Sequence, residues 1–429
     1  MSTRTPVNSS VRRQGVTVAE RSPAPDIARG FMLLLIALAH APMYVTTSEP
    51  GVVTHPWGGD TLDRVITFLS LGLVDNRAYP MFAALFGYGM AMLVARQRAA
   101  GTTAAAAGRL LRRRGVFLVL FGLVHFVLIF PADILAPYGV AALAFGWLLT
   151  RGDRALNKGV VISAVLATVL ATLLSLAVAV EESTKGTEGL RGTVWAHDYG
   201  DAVVERLSQA PFASLHILLG WPIVTAVLVG AVAARRRYLD DPARHRALLK
   251  RVVLLGGAVS VAGGIPLALI GAGSWHPGGV ATGAVTALHV VTGFAGGLAY
   301  AAAFGLLVAR SQRRGLTPGP VARALGAVGR RSLTCYLLQS SLLALVLARV
   351  AFGLGDEIHS TGAAVVAVCV WLTVVAVAVA LERAGLRGPL DALMRRLVYG
   401  KPARRATGPA PEPAPASGPA KQPASGEQS

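Results

Sequence analysis

The chain has 429 residues, of which 53% are hydrophobic and 15% charged, and its 41 Lys and Arg against 22 Asp and Glu leave a net charge of +19. So apolar a chain is no disordered polyelectrolyte, and two cysteines rule out a disulfide-stapled secreted scaffold. The basic charge has no nucleic-acid recognition motif beside it, and P-loop, dinucleotide and Cys/His metal spacings are absent, so neither nucleic acid nor metal is expected.

Residues 1–25 are polar and expected to be a disordered tail. Ten apolar stretches then follow in chain order, near 28–46, 78–95, 115–131, 134–150, 159–180, 211–234, 252–272, 281–309, 332–353 and 362–382. Most are long enough to cross about 30 Å of hydrocarbon as helices. Residues 401–429 are rich in Ala, Pro, Gly and Ser and are expected to be a second disordered tail. The intervening segments alternate between arginine-rich, such as Arg112-Arg113-Arg114 and Arg235-Arg236-Arg237, and arginine-poor. A missed or extra helix would invert every later loop and destroy that alternation. The expected fold is therefore an all-α polytopic membrane protein with about ten transmembrane helices spanning 26–400 and both termini cytoplasmic, its basic loops facing anionic lipid. Cys335 and Cys369 fall inside the last two spans, where packing is their expected role.

Ionisable groups at bilayer depth are costly, so each asks for a reason. On the first helix, Asp26, Arg29 and His40 are offset by 3 and 11 residues and share a face, with His40 about 16 Å from the cytoplasmic mouth. Arg29 either pairs with Asp26 or meets an anionic ligand such as a phosphate. His125, near the end of the third span, is followed by Asp133 in a short outer turn and by Tyr138. Asp133 either caps the next helix or orients an imidazole as a general base. Tyr336, Gln339 and Ser340 share a face of the ninth span and either bond a neighbouring helix or hold a substrate. Gly87-Tyr88-Gly89 is expected to allow close helix packing. All the histidines except His245 fall in the outer half or outer segments.

The stretches Asp26-Ile-Ala-Arg29-Gly30, Leu85-Phe-Gly-Tyr-Gly89, Gly122-Leu-Val-His125 with Asp133 and Tyr138, Leu333-Thr-Cys-Tyr-Leu-Leu-Gln-Ser340, and Gly388-Pro-Leu390 through Tyr399-Gly400 occur in this order along the chain. They resemble the YeiB-like membrane family, domain of unknown function 418, whose members are bacterial inner-membrane proteins. That family is distantly similar to transmembrane acyltransferases, including the O-acyltransferase-3 group and the lysosomal sugar N-acetyltransferase. The resemblance runs through Ala39-His40-Ala41, which argues against a cleaved signal peptide there. It implies acyl-coenzyme A as donor on the cytoplasmic side, an envelope glycan or lipid as acceptor, and His40, His125 with Asp133, or His55 as candidate base. Asp26, Arg29, Tyr138, Tyr336, Gln339 and Ser340 are the candidate binding residues. Membrane lipids and a second copy of the chain are the other expected partners. Two rival classes remain open: a transporter with an outward cavity, and a haem protein using pairs among His40, His125, His216 and His289.

Overall fold

A computed structural model of the chain describes residues 22–185, 194 and 196–400. The expected tails lie outside these residues apart from 22–25, where Ser22 donates to the Leu239 carbonyl at 2.6 Å. Among the described residues the structure is helical apart from one isolated bridge between Pro50 and Pro56.

The first helix, α1 (Ala24–His40), opens with Pro25, whose missing N–H costs nothing in a first turn, and with Asp26, which suits the positive helix end. Next, α2 (Thr61–Leu73) starts at a capping box in which Asp60 and Asp63 each satisfy the other's backbone N–H. The sequence reading treats this stretch as part of an outer loop. Its hidden signal is that box followed by Leu62, Val65, Leu69 and Leu73, an apolar stripe that stays exposed. Then come α3 (Ala78–Ala99), α4 (Ala104–Leu128), α5 (Leu135–Phe145) and α6 (Asp153–Lys185).

The stretch 211–234, expected to be one span, is two helices, α7 (Tyr199–Gly220) and α8 (Ile223–Arg235), broken at Trp221-Pro222. Pro222 has no N–H to donate and its ring collides with the preceding turn, so the helix stops and restarts. Beyond it lie α9 (Arg246–Gly271), α10 (Gly279–Arg313), α11 (Pro320–Arg330), α12 (Ser332–Leu347), α13 (Ser360–Arg383) and α14 (Pro389–Tyr399).

Six helical segments are long and apolar enough to cross a membrane: Ala24–Tyr44, Thr61–Ala99, Asp153–Ala179, Arg246–Gly271, Gly279–Arg313 and Ser360–Arg383. Leu135–Thr150, Ile223–Arg235 and Ser332–Leu347 are shorter apolar helices. On α6, Val161, Ile162 and Val165 are each more than 60% exposed. A bare aliphatic face on a helix with no charge over those turns is a lipid-facing surface.

The inner helices meet at glycines. A side chain on Gly87 of α3 would strike the Val227 carbonyl of α8, and one on Gly230 of α8 would strike the Ala84 carbonyl of α3. Gly30 of α1 and Gly329 of α11 repeat the arrangement against Leu325 and Asp26. Without a hydrophobic driving force between helices in lipid, such close backbone approach supplies much of the association. Gly89 takes no part in the packing expected of it, since its neighbour is the Arg29 guanidinium.

The arginine-rich turns gather at one end of the bundle, where Arg98 reaches the Thr150 carbonyl, Arg235 pairs with Asp153 and Arg330 with Glu382. At the other end, Thr46 bonds Asp356, Thr67 bonds Ser360, and His40, His55, His125 and His359 are found.

Candidate functional site

A cavity of about 330 Å³ opens at the arginine-rich end, within the usual range for small-molecule sites. Arg29, Arg96, Arg114, Arg330 and Arg395 line it, against two carboxylates, Asp240 and Asp391. Both carboxylates are engaged. Asp240 accepts from the Tyr88 hydroxyl at 2.6 Å, and Asp391 accepts from the Thr334 hydroxyl at 2.7 Å. Burial pushes the Asp391 carboxyl above the usual carboxylate range, opposed by its bonds from the Thr334 hydroxyl and backbone N–H. The Thr334–Asp391 bond joins α12 to α14, so two motifs far apart in sequence, at 333–340 and 388–400, close one wall together.

Arg29 is held rather than loose: it bonds Asp26 at 3.1 Å and donates to the Leu85 carbonyl at 2.6 Å. Arg29 is paired with Asp26, and the paired side chain also lines the cavity. Arg114 lies over the Phe86 ring at 5.6 Å. Inward, the cavity runs past Phe82 and Phe86 to Leu135 and Tyr138. Tyr138 stacks on Phe86 and donates its hydroxyl to the Tyr79 carbonyl at 2.9 Å.

Leu135 and Tyr138 belong to the start of α5, whose cap faces the opposite end of the protein. There Asp133 uses both oxygens: Oδ1 lies 2.8 Å from Nδ1 of His125, and Oδ2 accepts from the Ala136 N–H at 2.7 Å. Asp133, one residue before the Ile134 N-cap, thus bonds the first turn of α5 and orients the imidazole with the same carboxylate. Gly122 makes room, because a side chain there would collide with Asp133 and Ala136. With Nδ1 facing a carboxylate, the favoured tautomer carries its proton on Nδ1 and leaves Nε2 as an acceptor. Nε2 is buried and, among the described residues, has no hydrogen-bond partner.

His125 is ringed by further polar groups. Tyr336 lies 5.1 Å away between ring centroids, and His40, at the end of α1, shares Phe130 with His125, its ring 4.6 Å from that phenyl. Both amide atoms of Gln339 are buried without a hydrogen-bond partner among the described residues, whereas the Tyr336 hydroxyl turns toward the Ser340 hydroxyl and the Ile134 backbone. Each such group costs about 1–3 kcal/mol unless something bonds it, so the cluster suits a polar ligand.

His55 is not brought to this cluster. It bonds Asp75 at 3.0 Å in a separate buried network with Arg77 and His289, in which Arg77 also bonds Ser260 and the Leu71 carbonyl. Sequence reasoning missed Asp75, Arg77 and His289 as a unit. The available signal was Arg77 itself, an arginine in an otherwise arginine-poor outer segment. Likewise Asp26 and Arg29 do not meet His40, because a shared helix face carries the first two into the cavity and the third to the far end. Among the described residues no group of three or more His, Cys, Asp and Glu side chains is arranged to hold a metal.

Residues 233–401 match the family described as "Protein of unknown function (DUF418)". The chain is similar to the uncharacterized protein YeiB of Escherichia coli, 26% identical over 410 residues that cover 91% of this chain and 98% of YeiB. It is similar also to the uncharacterized protein YxaH of Bacillus subtilis, 27% identical over 270 residues that cover 56% of this chain and 65% of that protein. The similarity to YeiB thus runs over nearly the whole chain, and the DUF418 match over its C-terminal part. The DUF418 match contains Thr334, Tyr336, Gln339, Ser340 and Asp391, whereas His40, His125 and Asp133 precede it.

Proposed function

We propose that this protein is a transmembrane acyltransferase that takes an acyl group from cytoplasmic acyl-coenzyme A and passes it to a hydroxyl or amine of an envelope sugar or lipid. The proposed topology has about ten crossings of the bacterial inner membrane with both termini cytoplasmic, a reading supported by the alternation of arginine-rich and arginine-poor segments. The observation that carries the function is the start of α5. Its Leu135 and Tyr138 close the arginine-lined cavity, and Asp133, bonded to its first turn, holds His125 at the opposite end. Leu135 and Tyr138 thus stand only two and five residues along the chain from Asp133.

In the proposed reaction Nε2 of His125 accepts the acceptor's proton as the acceptor's oxygen or nitrogen bonds to the thioester carbonyl carbon. The carbon–sulfur bond then breaks and the proton passes to sulfur, giving free coenzyme A and the acylated acceptor. Asp133 keeps the imidazole oriented throughout. The cavity arginines neutralise the donor's phosphates, and Tyr336, Gln339 and Ser340 bond the acceptor. A thioester is already activated, so a positioned base and a site shielded from water suffice. His40, across Phe130, is the second candidate base. Export of a small molecule is the competing reading, favoured by Tyr138 standing like a plug, bonded to the Tyr79 carbonyl, between two polar sites.

Thermal stability of detergent-purified protein with acetyl- and longer acyl-coenzyme A tests the assignment. At a hundredfold over its dissociation constant a donor should add about 2.7 kcal/mol. Arg96→Ala and Arg395→Ala should each weaken binding roughly tenfold, the loss of a charge-assisted bond. His125→Gln should bind donor and lose thioester cleavage. Stabilisation of the folded wild type by no donor would move the assignment to export.

A further inference from the structure

A second cationic surface lies apart from the cavity. At the arginine-rich ends of α9 and α10 a groove of about 690 Å³ opens between the two helices. Arg246 and Lys250 line it from α9, Arg310 and Arg313 from α10, and Arg314 from the cap just past α10. No carboxylate lines it, and among the described residues none of the five cations takes part in an ion pair. None of them lines the arginine cavity either.

Below the charges the groove is apolar, with Val253 on one side and Leu306 and Leu307 on the other. On each helix the change from charge to hydrocarbon follows one stripe: 246, 250 and 253 on α9, and 306, 310 and 313 on α10. Each stripe is about 10 Å long at 1.5 Å per residue. That length matches the step from a phosphate plane to the first acyl methylenes, since the headgroup zone adds about 5–8 Å to each face of the hydrocarbon core. Val253 lies on a π-helical turn, Val252–Gly256, a departure from α geometry that is frequent at functional sites. Leu254, Leu255 and Leu307 beside it are mostly exposed.

We infer that this groove binds an anionic diacyl phospholipid, with its phosphate among the five cations and an acyl chain along Val253 and Leu307. Loop charges placed only for topology would have no need to converge from two helices distant in sequence onto one carboxylate-free groove. A soluble anion would use the charges but not the apolar stripe beneath them. The excess of cations favours a lipid with two phosphates over one.

Native mass spectrometry of delipidated full-length protein tests this by titration with diphosphatidylglycerol, phosphatidylglycerol and phosphatidylcholine. Wild type should prefer the anionic lipids at least tenfold, the doubly charged one most. Arg310→Gln/Arg313→Gln/Arg314→Gln should lose that preference. Val253→Trp, which fills the apolar part and keeps every charge, should weaken lipid binding and leave soluble inorganic diphosphate binding unaltered. Equal binding of all three lipids by wild type, or displacement of bound lipid by inorganic diphosphate at equal concentration, would overturn the proposal. So would an unchanged anionic preference in both variants. The outcome is independent of acyl transfer, because no residue is shared with the cavity or the histidine cluster.

Discussion

Single residues in this protein do two jobs at once where the membrane leaves little room for polar groups. Asp133 bonds the first turn of α5 with one oxygen and holds His125 with the other, so the cost of burying a carboxylate is offset twice. Asp391 is less fully compensated, and its raised protonation tendency has a consequence for stability. A carboxyl whose folded pKa lies above its unfolded value contributes stability that is complete below the unfolded value and fades as pH rises through the folded one. Asp391→Asn, which can still accept from Thr334, is therefore expected to match wild type near pH 4. It should melt at the same or a slightly higher temperature than wild type at pH 7. Scanning apparent melting temperature against pH for both proteins checks this; a variant that loses stability only as pH rises would show that the ionised carboxylate is the favoured form. These roles were partly legible in the sequence. The spacing of His125 and Asp133 across a short turn suggested their pairing, whereas nothing local tied Thr334 to Asp391 or His55 to Asp75.

At the scale of elements, reciprocal glycine contacts join α3 to α8 and α1 to α11. Gly87→Ala would set a methyl group against the Val227 backbone carbonyl, which cannot move aside without the whole helix. Overpacking of this kind costs about 1–3 kcal/mol or more, and poor yield with a lowered melting temperature is expected. Gly89→Ala, two residues on, would place its methyl 3.2 Å from the Arg29 guanidinium and against no backbone, so a shift of a few tenths of an ångström should accommodate it. Comparing the two by size-exclusion profile and thermal melting separates backbone contact from a general dislike of side chains in that motif. The motif was visible in the sequence, but which of its glycines carries the contact was not, because that depends on the rotation of α8 against α3. The division of 211–234 follows from Pro222, a local signal outweighed in the sequence reading by continuous hydropathy. The capping box at Asp60 and Asp63 was likewise present but hidden within a segment treated as a loop.

For the whole molecule, the separation of an arginine-rich end from a histidine-bearing end implies an orientation. In a Cys335→Ala/Cys369→Ala background, Ala105→Cys should react with a membrane-impermeant maleimide only after permeabilisation, and Ser274→Cys should react in intact cells. The reverse pattern would place the arginine-lined cavity outside and remove the basis for the proposed coenzyme A donor. What the sequence by itself determined was an all-helical, membrane-type chain with its arginines on alternate segments. Transfer of side chains from water to hydrocarbon is a property of each residue and its near neighbours, so it can be read along the chain. The tertiary structure alone decided that His125 rather than His55 joins His40 beside Tyr336, that five arginines from distant segments line one cavity, and that this cavity ends at the helical turn bonded by Asp133. Those outcomes depend on how helices rotate and cross, which close packing among many distant residues sets together and no single stretch encodes.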